Sequence, residues 1–253
     1  MEDTMSGHSK WHSIKHKKGA VDAKRGKLFT KLIKEITVAA RLGGGDLDAN
    51  PRLRTVVAKA KEANMPKDNI EKAIKKGTGE LEGYNLEEIS YEGYGPNGVA
   101  IMIDTLTDNR NRTTAEVRSV LTKSGGNLGE NGCVSWIFEK KGVITLSAEK
   151  YDENIVMEVA LDAGADDIQG DDNVWEVTTT PENYETLRNA FIDRGMELIV
   201  SDIMWVPKTT VKLDEKAASK VLSLIERLED NDDVQNVASN FDIPDEILQS
   251  MGE

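Results

Sequence analysis

Histidine is nearly missing from this chain: its three copies, His8, His12 and His16, all fall within the first sixteen residues. The rest of the protein therefore has no imidazole for acid–base work near neutral pH. Cysteine occurs once, as Cys133, so no internal disulfide can form and the chain fits a reducing compartment. No stretch approaches the length of consecutive apolar residues that a membrane-spanning helix needs. The basic start has no apolar run behind it, so no secretory signal peptide is expected. Glu2, Asp3 and the lack of arginine before Arg25 argue against an organelle transit peptide. A cytoplasmic location is the expectation.

What is present is ample apolar residue and a divided charge. The 253 residues are 38% hydrophobic and 30% charged, enough to build cores in two or three domains. The net charge of −13 conceals a basic block: residues 6–76 sum to +11, whereas residues 83–253 sum to −20. A basic block joined to an acidic body suggests a polyanionic partner. The alternative is that the block docks on the chain's own acidic domains, and charge counting alone does not choose between them.

Residues 1–20 show no hydrophobic period and read as a flexible basic arm. Residues 21–82 read as a helical domain of three short amphipathic helices. The first carries Phe29, Ile33, Ile36 and Ala40 on one face and ends at Gly43-Gly44-Gly45. Asn50-Pro51 opens the second, with asparagine as N-cap and proline in the first turn. Pro66 opens the third, and Gly77 is its expected stop.

From Leu86 the texture turns to strands and helices, with a strand expected over Cys133–Phe138. Residues 142–206 run strand, helix, hairpin, helix, strand, the βαββαβ order of a ferredoxin-like unit. Residues 83–141 and 207–253 would each be incomplete alone. The predicted class is thus α+β: a three-helix domain, then two ferredoxin-like α+β domains, 142–206 inserted into the other.

The chemistry-bearing residues concentrate at the start. Lys10, Trp11, Lys15, His16, Lys17 and Lys18 lead into Lys24, Arg25 and Lys27. From His8 to Lys34 there are nine Lys and Arg against one acid, Asp22. Lysines neutralise phosphates and release counterions without sequence choice, and Trp11 offers a face for an unstacked base. Arg52 and Arg54 open the second helix, where amide groups also favour anions. Arg110 and Arg112, in Asp108-Asn109-Arg110-Asn111-Arg112, suit forked contacts to phosphate or carboxylate, or else salt bridges at a capped helix start.

Other patterns point away from catalysis. The spacing of His8, His12 and His16 would place them on one helix face, but the lysines around them and the absence of a nearby carboxylate or thiolate disfavour a metal site. Tyr91-Glu92-Gly93-Tyr94-Gly95-Pro96-Asn97-Gly98 lacks the Lys-Ser/Thr ending of a phosphate loop and reads as a strand-joining turn. Cys133 reads as packing rather than a nucleophile. Residues 142–206 hold 15 acids against 3 bases. An RNA-recognition reading of that unit, with Trp175 beside Glu176, conflicts with its charge, and a protein or a basic surface is its expected contact. No cofactor and no small-molecule substrate are expected.

Met5-Ser6-Gly7-His8-Ser9-Lys10-Trp11, Ala23-Lys24-Arg25-Gly26-Lys27, Asn50-Pro51-Arg52-Leu53, Tyr91-Glu92-Gly93-Tyr94-Gly95-Pro96 and Asp108-Asn109-Arg110-Asn111-Arg112 occur in one order. Together they resemble the YebC/PmpR family, which includes the mitochondrial translational activator of cytochrome c oxidase. Residues 1–4 stand outside the pattern. The resemblance implies a helical N-terminal domain and two α+β domains, one interrupted by the other. It implies a probable transcriptional regulator that binds DNA, or a ribosome-associated translation factor that binds ribosomal RNA or tRNA and aids elongation through proline-rich stretches. A metal-dependent nuclease is a third reading, weakened by the missing acidic metal cluster.

Overall fold

A computed structural model of the protein describes residues 22–83, 85–170, 173–244 and 247. Helix α1 spans Asp22–Gly43, α2 Pro51–Glu62 and α3 Lys67–Thr78. Leu32, Ile36 and Ala40 of α1 pack with Leu53, Val56 and Val57 of α2 and Ile70 and Ala73 of α3. Asn50 ties the first two helices together. Its Oδ1 accepts the Leu53 N–H (3.1 Å), and its Nδ2 donates to the carbonyls of Ala39 (2.9 Å) and Gly44 (2.8 Å). One buried side chain therefore caps a helix start and satisfies a helix end.

The third helix corrects an expectation. It does not stop at Gly77 but runs to Thr78 and is capped by Gly79 at φ +82°. Gly77 lies inside the helix because α1 passes too close for a side chain. A Cβ there would meet the Thr37 carbonyl oxygen at 2.4 Å and Ala40 Cβ at 2.7 Å.

Strands β1 (Glu87–Tyr94), β2 (Ala100–Thr107), β3 (Asn127–Leu128) and β9 (Val234–Ser239) form an antiparallel sheet in the order β3-β1-β2-β9. Helices α4 (Arg110–Lys123) and α7 (Glu215–Glu229) cover one face. Val117 and Leu121 of α4 and Val221, Leu224 and Ile225 of α7 pack on Ile101 and Ile103 of β2. The alternate residues Ala100 and Met102 point to the opposite face, where they meet Val134, Ile137 and Phe138.

Between β3 and β9 the chain builds a second antiparallel sheet from β4 (Phe138–Ser147), β5 (Asp167–Gly170), β6 (Val174–Thr179) and β7 (Leu198–Pro207), in the order β5-β6-β4-β7. Helices α5 (Glu153–Asp162) and α6 (Tyr184–Asp193) complete the βαββαβ connection. Val156, Leu187 and Phe191 bury against Ile144, Leu146 and Val177. Between β7 and α7, short β8 (Val211–Lys212) pairs in parallel with β10 (Phe241–Asp242).

The strand expected over Cys133–Phe138 is absent. A short 3-10 helix, Ser135–Ile137, stands there, and β4 starts at Phe138, four residues before the expected edge of the inserted unit. The cause is Glu92. Its buried carboxylate accepts the N–H groups of Gly132 (2.7 Å), Val134 (2.8 Å) and Ser135 (2.8 Å), which a ladder would have used. Among the described residues no helix is long and apolar enough to cross a membrane.

Candidate nucleic-acid interface

Lys10, Trp11, Lys15, His16, Lys17 and Lys18 lie outside the described residues, as does the expected arm. Lys24 sits at the start of α1, where the structure describes backbone only. Arg25 is exposed, with its guanidinium 5.4 Å from the centroid of the Phe29 ring. Arg110 is exposed and makes no ion pair among the described residues.

The other cations that the sequence pointed to turn inward. Lys27 pairs with Asp230 (2.6 Å) and Arg52 with Glu88. Arg54 pairs with Glu185 (2.9 Å), whose other oxygen accepts the Thr55 hydroxyl (2.8 Å). Arg112 binds Asp108 (2.9 Å) and Asp233 (2.7 Å).

Asp233 is a hub. It also accepts Lys34 Nζ (2.6 Å) and the Thr113 hydroxyl (2.7 Å), and its side chain is only 5% exposed. Burial pushes its carboxyl up, but the hydrogen bonds from Arg112, Lys34 and Thr113 win and hold it down to about 2. The hub forms one wall of a cleft of about 580 Å³ between α1 and the first sheet domain, with Lys27, Lys76, Glu116 and Asp232 also on its walls. Cations and acids alternate around this cleft, so it does not present a single field to a polyanion.

A second junction joins α1 and α2 to the inserted unit. Lys59 pairs with Asp202 (2.6 Å), and Arg188 of α6 pairs with Glu62 (2.7 Å). Burial pushes the Glu35 carboxyl up, partly countered by Lys59. Lys59 itself is pushed up to about 12: burial acts to lower it, but the charges of Asp202 and Glu35 prevail. The acidic inserted domain thus meets a basic surface, and that surface belongs to the same chain.

A row of cations that sequence reasoning missed stays uncommitted. Lys72, Lys75 and Lys76 lie on the exposed side of α3, opposite Ile70 and Ala73, with Lys76 at the rim of the cleft, and none makes an ion pair among the described residues. Their spacing of three and four, out of phase with the apolar face, is the signal that could have found them.

Comparison with known proteins sets this geometry in a family. A model described as the TACO1/YebC protein N-terminal domain matches residues 9–80, and one described as the TACO1/YebC second and third domain matches residues 86–241. The chain belongs to the TACO1/YebC family. A "Probable transcriptional regulatory protein" of Syntrophobacter fumaroxidans is 60% identical, with 96% of this chain and 98% of that protein covered. Another of that description, from Geobacter sulfurreducens, is 59% identical over 98% of this chain and its own whole length. The crystal structure of a conserved hypothetical protein, Aq1575 from Aquifex aeolicus, superposes with a TM-score of 0.83 at 53% identity, covering 91% of this chain and 95% of that one.

Within this TACO1/YebC chain, motifs that carry the resemblance also do architectural work. Asn50 caps α2 and Arg52 reaches Glu88 of the first sheet. Asp108 and Arg112 join the Asp233 hub. Glu92 of the glycine-rich turn organises the 132–135 loop. Cys133 is half-buried, and burial followed by the nearby Glu92 charge pushes its thiol up, which disfavours the nucleophilic thiolate.

Proposed function

We propose that this chain is a non-enzymatic regulator of gene expression that binds nucleic acid through the outward side of its helical domain and the basic segment before it. The observation that carries the reading is the uncommitted row of Lys72, Lys75 and Lys76, exposed on a domain where Lys27, Lys34, Arg52, Arg54 and Lys59 are paired to the acidic body. The basic segment Lys10–Lys18 precedes α1 in the sequence and carries charge of the same sign. Relatives sharing more than half of its residues are named probable transcriptional regulatory proteins, in keeping with a nucleic-acid target. The acidic surface left over disfavours polyanions over most of the body.

Titrating the full chain against a labelled duplex at several salt concentrations tests this. A steep loss of affinity with salt is expected. Salt-independent binding, or none at low salt, overturns the reading. Chelator-sensitive turnover of the nucleic acid would overturn its non-enzymatic part.

A second reading is a ribosome-associated translation factor. The favouring observation is that the uncommitted cations of α3 are all lysines, point charges that bind phosphate without the forked geometry of arginine. Such a row suits folded RNA as well as an operator. Co-sedimentation with ribosomes at low salt, lost when residues 1–20 are removed, supports this version. A duplex footprint that survives excess competitor DNA supports the transcriptional one.

A further inference from the structure

We propose that Trp136, with Lys140 and Lys208 on the adjoining strand ends, is a second nucleic-acid contact: a stacking platform for an unpaired base of a single strand. This rests on the nucleic-acid reading above and places a contact on the acidic body, where the charge balance gives no hint of one.

The indole is 68% exposed, although Val134, Ile137 and Phe138 around it are buried. It is also held. Its Nε1 donates to the Cys133 carbonyl (3.1 Å), which accepts the Tyr94 hydroxyl as well (3.0 Å). The Glu92 carboxylate braces the same turn through three backbone N–H groups. Burial pushes the Glu92 carboxyl up, but those N–H bonds prevail and hold it below its usual range, so the brace stays charged at neutral pH. An aromatic ring displayed on a fixed turn has little ordering entropy left to lose when a planar partner arrives.

Lys140 stands in β4, which begins at this turn, and Lys208 directly follows β7, which ends there; Lys141 faces the other side of the sheet from Lys140. Ile137 accepts the Lys208 N–H (2.8 Å), Lys140 pairs across the ladder with Trp205, and Lys141 pairs with Met204. Lys140 Nζ stands 4.8 Å from the centroid of a Trp205 ring. Three acids oppose them: exposed Glu130 and Glu139, and Asp104, which accepts Trp205 Nε1 (2.9 Å). The stretch as a whole, with Lys141 counted, is thus near neutral in a region of −20. A single strand can lie there without strong repulsion, stacking supplies the affinity, and the lysines take one or two phosphates.

The probes are a uridine and a thymidine 12-mer, each titrated against the full chain, with a blunt duplex of similar length as control. Trp136→Ala should weaken 12-mer binding about tenfold and leave the salt slope and duplex affinity unchanged. Trp136→Phe should recover most of the loss, since a phenyl ring still stacks. Lys140→Ala with Lys208→Ala should flatten the slope by about one unit. Unchanged thermal midpoints check folding. A thio-uridine version of the RNA probe should cross-link to the peptide containing Trp136. If wild type and Trp136→Ala bind the 12-mers equally and no cross-link maps there, the platform is wrong and the lysine-row reading stands. If wild type binds neither 12-mer nor duplex, both fall. Loss with uridine but not thymidine identifies the strand as RNA.

Discussion

The two sides of the helical domain carry cations that look alike in sequence and differ in use. On the inner side, Lys34, Arg54 and Lys59 are matched to Asp233, Glu185 and Asp202 of the two sheet domains. On the outer side, Lys72 and Lys75, with Lys76 at the edge of the cleft, have no such partner among the described residues. The difference teaches that a surplus of basic residues divides into charge that assembles the protein and charge left to bind something else. Only the second kind should appear in the salt dependence of a nucleic-acid complex.

Removing an inner partner should have the largest effect. Asp233→Ala leaves Lys34 and Arg112 facing each other and deprives the buried hydroxyls of Thr107 and Thr113 of their carboxylate. Loss of about 2–3 kcal/mol is expected, read from the urea midpoint, because buried hydroxyls lose their acceptor and two neighbouring cations lose the carboxylate between them. A loss under about 1 kcal/mol would mean that the hub holds nothing together.

Acid should work on the same group. The Asp233 carboxyl sits at about 2 in the folded chain against 3.8 ordinarily, so the folded state holds the ionised form more tightly. Its contribution is present above about pH 4 and drains away as pH falls towards 2, amounting to about 2 kcal/mol. In Asp233→Asn that part of the acid limb should flatten. An unchanged limb would assign acid sensitivity to other carboxylates.

Gly77→Ala probes how the outer side is held in place. The added Cβ would strike the Thr37 carbonyl and Ala40, so α3 must move away from α1. A loss of about 1–3 kcal/mol is expected, measured by thermal or urea unfolding. Loss of nucleic-acid affinity beyond the unfolded fraction would show that the tilt of the lysine row matters.

Much of this was legible in sequence, and the failures have a common cause. The helices follow from periodicity and caps: Asn50, Pro51 and the Ile70–Ala73 face need only local chemistry. The inserted βαββαβ unit follows from the order of its elements. What misled was residues whose partners are distant in sequence. Gly77 looks like a stop, but it is a contact with Thr37, forty residues earlier. Cys133–Phe138 alternates like a strand, but Glu92 withdraws its donors from forty residues upstream. Arg54 and Arg112 look free for phosphate because Glu185 and Asp233 are more than a hundred residues away. Conversely, the α3 lysines are readable from helix phase alone, although the denser basic runs near the start outweigh them in any count of charge.

The outer row can be tested apart from stability. Lys72→Ala, Lys75→Ala and Lys76→Ala combined should leave the urea midpoint near wild type and lower the salt slope for a duplex by up to about 2.7 units, roughly 0.9 for each phosphate left unneutralised. Lys17→Ala with Lys18→Ala should lower it by about two units or a little less. If the three α3 substitutions leave the slope untouched while the arm pair reduces it, binding belongs to the arm and the outer side of α3 is solvated surface.

The smallest effect is expected where the two sides grade into one another. Arg52 pairs with Glu88 across the junction, yet their side chains are 42% and 45% exposed. Burial acts to lower the Arg52 guanidinium, but the hydrogen bond and charge of Glu88 raise it, so it stays cationic throughout. Water and salt screen such a pair, and holding two long side chains together offsets much of the attraction. Arg52→Ala should therefore cost at most about 0.5–1 kcal/mol, measured by urea unfolding at low and high salt, and the difference should shrink at high salt. It should also change the salt slope for nucleic acid by much less than one unit, since its charge is already answered. A full unit of slope would show that Arg52 abandons Glu88 for a phosphate on binding. Inner and outer cations would then be two states of one pool, with the acidic body competing against the nucleic acid for them.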